Sequence, residues 1–256
     1  MSLTVENMSF SYGKHPVLHE LTYTAEAGEL LAILGPNGVG KTTLFKCVMG
    51  QERKYSGRIA ADGADLAALT PRERAHRVAA IPQAHPLSFR YSAFDMVLMG
   101  TSHTLSPFNL PGEKERAAAR DAMARVNIEH LAERPFDHLS GGEQQLVFIA
   151  RALAQQAKIL LMDEPTASLD YGNRLHVLSV ARDLAKDGYT ILLSTHDPQH
   201  ALWFADRALA LQEGRILALG APREVLTHAL LEALYGRRIE LVETEQGPVL
   251  VPREMG

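Results

Sequence analysis

The sequence predicts an α/β fold with a buried sheet, and three observations carry that prediction. Short apolar runs, Leu30–Leu34, Lys158–Met162 and Gly188–Ser194, read as strands covered on both sides. Helical stretches lie beside them: Thr43–Met49 starts one after the first run, and Tyr171–Lys186 lies between the second and third. Between about residues 84 and 155 the strand signals fade. That stretch reads as a helical subdomain (84–155) inserted into an α/β core made of residues 1–83 and 156–256, all within a single domain of 256 residues.

In chain order, Leu3, Val5 and Met8 alternate with polar neighbours and predict a strand over 3–9, and Phe10-Ser11-Tyr12-Gly13 reads as a turn. Val17, Leu18, Leu21 and Tyr23 mark a strand over 17–24, closed by Ala27-Gly28. Residues 57–63 read as a strand ending at the Asp62-Gly63 turn. Thr70 caps a short helix opened by Pro71 and running to His76. Val78–Ile81 is a short apolar strand that ends at Pro82-Gln83. Gly112–Val126, rich in Ala, Glu, Lys and Arg, predicts a helix with an exposed face, and Gln144–Gln156 a further one. Beyond 206 come a hairpin around Glu213-Gly214, short helices to about 234, and two weak strands, Ile239–Glu243 and Val249–Val251.

Bulk properties narrow the class. Hydrophobic residues make up 46% of the chain, enough for a sizeable core, and the net charge of −4 argues against a nucleic-acid partner held by bulk charge. The single cysteine, Cys47, cannot close an internal disulfide; it reads as a packed small side chain in a reducing compartment. No apolar run has the length to cross a bilayer, and the N-terminus lacks the pattern of a signal peptide. The expectation is a protein that is soluble or reaches a membrane through a partner.

Ile33 to Leu44 reads I-L-G-P-N-G-V-G-K-T-T-L and fits G-x-x-x-x-G-K-[ST], the P-loop. A strand before it and a helix after it supply the expected context. Gly35, Pro36, Asn37, Gly38, Val39 and Gly40 let the backbone curl so that N–H groups face phosphate oxygens, and the helix opening at Lys41-Thr42-Thr43 adds its positive end. Lys41 supplies charge for the β- and γ-phosphates, and Thr42 a hydroxyl for Mg²⁺. Asp163 and Glu164 close the second apolar run; in a parallel sheet they fall beside the P-loop. Asp163 is placed to hold Mg²⁺ and Glu164 to polarise an attacking water. Leu139-Ser140-Gly141-Gly142-Glu143-Gln144 forms a second anion cradle at a helix start. One nucleotide does not need two cradles, so this one is expected to serve a nucleotide held by another copy of the chain. His196, at the carboxyl end of the third run, has a functional setting, unlike His15, His76 and His176.

Gly35–Thr42, Gln83, Leu139–Gln144, Asp163-Glu164, Ser168-Leu169-Asp170 and His196 occur in the order shown by ATP-binding-cassette ATPases, and the chain resembles that family along essentially its whole length. The resemblance implies a RecA-like P-loop NTPase core with an N-terminal antiparallel β-subdomain and an inserted helical subdomain. It implies a head-to-tail homodimer with two ATP molecules between the P-loop of one subunit and the Ser-Gly-Gly helix of the other. By the same resemblance Tyr12 stacks on adenine, and Gln83 touches Mg²⁺ and the attacking water. Ser140, Gly141, Gly142 and Glu143 form the signature facing the partner's ATP, Asp170 crosses the dimer axis, and His196 joins Glu164 at the γ-phosphate.

The stretch Ile81–Phe89 through Phe94–Gly100, with the tail from Tyr235-Gly236 to Val251-Pro252, is similar to importers of metal chelates: siderophores, haem, cobalamin and the related molybdate systems. Thr101 stands where many of these carry arginine. That likeness implies a separate transmembrane permease and a substrate-binding protein, a peripheral location on the cytoplasmic face of the inner membrane, and a permease groove near residues 84–101. The alternative is a soluble cassette ATPase of a cofactor (iron–sulfur) assembly system.

Overall fold

Leu30 to Leu34 are buried at every position and form a central strand of the larger sheet. The computed structural model describes residues 1–82, 91–105, 109–245 and 247–252. Expectations attached to Gln83 and residues 84–90 lie outside the described residues. The chain opens with β1 (Leu3–Tyr12), β2 (His15–Ala25), β3 (Leu30–Leu34), α1 (Lys41–Met49), β4 (Ser56–Ala61), β5 (Ala64–Asp65), α2 (Pro71–Ala75) and β6 (Val78–Ile81). Helices α3 (Ala93–Leu98), α4 (Glu113–Arg125) and α5 (Gly141–Ala154) follow, then β7 (Ile159–Asp163), α6 (Tyr171–Lys186), β8 (Thr190–Thr195) and α7 (Pro198–Phe204). The chain continues through β9 (Arg207–Gln212), β10 (Arg215–Gly220), α8 (Pro222–Val225), α9 (His228–Tyr235), β11 (Ile239–Thr244) and β12 (Gly247–Pro252).

Among the described residues six strands form the main sheet in the order β10-β9-β3-β8-β7-β6, parallel from β9 to β6 with β10 antiparallel at one edge. Strands β2-β1-β4-β5 form a separate antiparallel sheet. The period-2 geometry of β3 divides its side chains: Leu31 and Ile33 pack toward α1 and the antiparallel sheet, Ala32 and Leu34 toward α8 and α9 on the other face. Such a strand has no polar face, which is why it reads as a continuous apolar run.

Strand β1 corrects one expectation. Phe10, Ser11 and Tyr12 continue the strand, and the chain reverses only at Gly13 and Lys14. A register shift between Val5 and Met8 breaks the alternation, so that Met8 and Phe10 reach the core as Leu3 and Val5 do, and the Phe10 and Tyr12 rings meet edge-on at 4.8 Å. Helix α5 starts at Gly141, three residues before the apolar run suggested, because Ser140 caps it. Helix α7 is an addition: Asp197 caps it and Pro198 opens it, the Asp-Pro start signal that the reading passed over.

Among the described residues of the 84–155 stretch there is no extended strand. Helices α3, α4 and α5 pack on one another, and Phe136 and Phe148 meet at 5.3 Å in their midst. Helix α5 is apolar on nearly every side, as a helix enclosed by others must be. Of the residues flanking the expected permease groove, Val97, Leu98 and Thr101 are buried, and Phe94 is half-buried. No helix of the described residues is long and apolar enough to cross a membrane.

Candidate active site

The P-loop lies beyond the carboxyl ends of β3, β7 and β8, where an open parallel sheet places its ligands. Gly35 leaves β3 at φ 156°, and a Cβ there would sit 2.3 Å from the Leu211 carbonyl oxygen, so only glycine lets the loop turn this close to β9. Helix α1 begins after Gly40, and no side chain caps it. Its first-turn N–H groups therefore remain open to an anion. Asn37, Gly38, Gly40, Lys41, Thr42 and Thr43 line a cleft of about 440 Å³ with Pro82, Asp163 and Glu164.

A chain of polar side chains leads out of this cleft. Lys41 is almost fully buried; its Nζ donates to the carbonyls of Gly35 (2.7 Å) and Pro36 (3.1 Å). The same ammonium lies 3.3 Å from Glu164 Oε1, and Glu164 Oε2 lies 3.3 Å from His196 Nδ1. Burying the ammonium is tolerable because it is both paired and hydrogen-bonded. Glu164 takes a positive φ of 45°, uncommon for a residue with a side chain, and its carboxylate meets Lys41 and His196 while that of Asp163 meets Ser194. One hydroxyl sets both acidic residues: Ser194 Oγ donates to Asp163 Oδ1 at 2.7 Å and accepts from the Glu164 N–H at 2.9 Å. Ser194 was missed from the sequence, although a polar residue in a buried apolar run was the available signal.

Behind His196 a further unread cluster fixes the start of α7. Thr195 Oγ1 and the Asp197 carboxylate each lie 3.2 Å from a ring nitrogen of His200. The Asp197 N–H also donates to Thr195 Oγ1. Burial pushes His200 below the ordinary histidine value, against an upward pull from Asp197.

The signature residues stand elsewhere. Ser140 caps α5 by accepting from the Glu143 N–H, while Glu143 Oε2 accepts from the Ser140 N–H at 2.7 Å. That backbone bond, with Arg134 at 3.2 Å, holds the Glu143 carboxyl below its ordinary range. Glu143 is thus engaged within its own subunit, whereas Ser140 and Gly141 are exposed. Gly142 is glycine for close approach: a Cβ there would lie 2.4 Å from Asn173 Oδ1. Asn173 in turn donates to both carboxylate oxygens of Asp170, which caps α6 and is held below the usual carboxylate range chiefly by the Asn173 backbone N–H. The structure thus brings Gly142 and Asp170 together through Asn173. It does not bring Ser140, Gly141, Gly142, Asp170 or Tyr12 into the lining of the phosphate cleft.

Residues 18–167 match the family model described as ABC transporter. The chain is 38% identical to a hemin import ATP-binding protein, HmuV, of Myxococcus xanthus, over 98% of this chain and 97% of the relative. A Gloeobacter violaceus protein of the same name is 42% identical over 86% and 82%. Among solved structures, a metal-chelate type ABC transporter in an inward-facing conformation matches with a TM-score of 0.87 and 33% identity, covering 99% of this chain and 97% of that one. Clostridium perfringens cbiO1, part of the cbiONQ transporter complex, matches with a TM-score of 0.78 and 30% identity, covering 91% and 95%. The chain belongs to the ABC transporter family. It is an ATP-binding subunit that hydrolyses ATP, on a P-loop core with an antiparallel β-subdomain and a helical region.

Proposed function

We propose that this chain powers import of a metal chelate of the haem class, by ATP-driven closure of a homodimer against a separate permease fed by a substrate-binding protein. The carrying observation is the separation of the two cradles: Lys41, Thr42, Asp163 and Glu164 line one cleft, and Ser140-Gly141-Gly142 lie outside it. A second copy, related by a two-fold axis, would set its Ser140 end over this cleft and leave both sites equivalent. The names of the Myxococcus xanthus and Gloeobacter violaceus relatives support haem as the cargo. The subunit would then lie on the cytoplasmic face of the membrane, held by the permease.

Within the site, Lys41 and the open N–H groups of α1 receive the phosphates. The residues fit Mg²⁺: Thr42 and Asp163 both line the cleft, and Ser194 orients the Asp163 carboxylate. Mg²⁺ held there by Thr42 and Asp163 would neutralise phosphate charge. Arriving phosphates compete with Glu164 for Lys41, so nucleotide binding frees the carboxylate that orients the attacking water. His196 holds the other Glu164 oxygen, Tyr12 would stack on the base, and Asp170 would meet the partner at the axis. Gln83, next to the cleft-lining Pro82, would contact the metal and water. The 84–155 stretch acts as the permease-facing subdomain in this reading.

The test is reconstitution with a co-purified permease in proteoliposomes, measuring haem uptake with ATP inside. ATP-dependent uptake, absent with Glu164→Gln, is expected. A complex that hydrolyses ATP yet moves neither haem nor another metal chelate would end the importer reading. Co-purification with soluble scaffold proteins would favour cofactor assembly instead.

A further inference from the structure

Helix α5 is fastened at both ends to the chain on either side of strand β6. Near its C-terminus, Gln155 Nε2 donates to the carbonyls of Ala75 (2.6 Å) and Val78 (2.9 Å). Near its N-terminus, Gln145 Nε2 donates to the carbonyl of Pro82 at 3.1 Å. Only the NH₂ end of an amide can donate to a carbonyl, which fixes the orientation of Gln145. Its Oε1 is then buried without a partner among the described residues, and the side chain is fully enclosed. A buried amide with one stranded end calls for a reason, since an apolar side chain of similar volume would fill the space at no such cost.

Pro82 supplies the reason. It lines the phosphate cleft with Lys41, Asp163 and Glu164. The parallel ladder between β6 and β7 ends at Ile81 and Met162, so Pro82 lies one residue past the last pair. Proline has no N–H with which to extend the ladder. The Pro82 carbonyl is thus held from α5, the helix whose opening residues are Ser140-Gly141-Gly142.

We propose that Gln145 is a positioning residue for ATP hydrolysis: through Pro82 it links the placement of the signature end of α5 to the wall of the phosphate cleft. When the Ser140 end seats against a nucleotide held by a second copy, the same helix sets the cleft wall beside Asp163 and Glu164 in its own subunit. This rests on reading the cleft as the ATP site and Ser140-Gly141-Gly142 as the contact to the partner's nucleotide.

The experiment uses the full chain carrying Gln145→Leu, Gln145→Glu or Gln155→Leu. ATP turnover is measured over ATP concentration, ATP affinity by calorimetry, and stability by melting temperature. Gln145→Leu is expected to lower kcat about tenfold, or about 1.4 kcal/mol of barrier, with KM and ATP affinity within about twofold of the parent. In Gln145→Glu, burial favours the protonated carboxyl, whose O–H can donate to Pro82. Its kcat relative to the parent should therefore rise between about pH 8 and pH 6.5. Gln155→Leu should lower the melting temperature and leave kcat near the parent value. The inference is overturned by an unchanged kcat in folded Gln145→Leu, by kcat and affinity falling in parallel, by a flat relative pH profile in Gln145→Glu, or by an equal kcat loss in Gln155→Leu. If Gln145→Leu does not fold, the Gln145→Glu profile decides. Unimpaired ATP affinity in Lys41→Ala would overturn the ATP-site reading instead, so the two failures are distinguishable.

Discussion

Ser194 and His200 show how single buried polar groups set the chemistry of their neighbours. Ser194 bonds both Asp163 and the Glu164 backbone, so one hydroxyl ties together two acidic residues whose side chains take different partners. His200 does the same for the residues on either side of His196, bonding Thr195 and Asp197. Thr195, Asp197, Arg174 and His196 all bear on its ring. Its folded value lies below the ordinary 6.5, burial being the main cause. Between those two values the unfolded chain binds more protons, so stability rises with pH there. The contribution of neutral His200 is complete above about pH 6.5 and is lost as pH falls through the folded value. Scanning calorimetry from about pH 7.5 to pH 5.5 should show a fall in melting temperature that His200→Gln reduces. Equal slopes in both proteins would clear His200 of that role.

Helices α5 and α6 meet where Gly142 touches Asn173 and Asn173 holds Asp170, so the signature and the residue expected at the dimer axis share one contact. Introducing Gly142→Ala puts a methyl 2.4 Å from Asn173 Oδ1 and 2.5 Å from its Cγ. The Asn173 side chain must move and release an Asp170 oxygen, at a cost of about 1–3 kcal/mol. For a chain of this size that is a melting-temperature loss of roughly 2–10 °C. Gly142→Ala together with Asn173→Ala should recover most of it; a double variant no more stable than Gly142→Ala alone would show that the clash is not the cause. Cys47, by contrast, is passive: burial pushes its thiol up to about 12, so it is a packing group of α1.

At the scale of the molecule, the two cradles of one subunit do not meet, and turnover should depend on association. Specific activity should rise with protein concentration as dimers form. Glu164→Gln, which keeps the fold and the hydrogen-bonding shape but not the carboxylate, should accumulate an ATP-dependent dimer visible by light scattering. Full activity per molecule in a strictly monomeric sample would exclude shared sites. The proposed switch would also have a scale: moving a dimer from 1% to 99% closed takes about 5.5 kcal/mol of differential binding. Charge-assisted contacts from two cradles to each γ-phosphate would be of that order.

The sequence alone determined the P-loop, the Asp163-Glu164 pair, the Ser140-Gly141-Gly142 helix opening and the helix Tyr171–Lys186, because each rests on local rules: loop chemistry and periodicity. It misjudged Phe10–Tyr12, where local turn chemistry yielded to burial of Phe10 against the core. Only the tertiary structure decided that Lys41, Glu164 and His196 form one chain of contacts, that Ser194 orients both acidic residues, and that Gln145 reaches Pro82. Those partners lie 30 to 123 residues apart in the chain, and no local pattern encodes which strand ends will adjoin. Sheet order makes that choice, by burying β7 and β8 side by side with β3 and gathering their carboxyl ends at one edge.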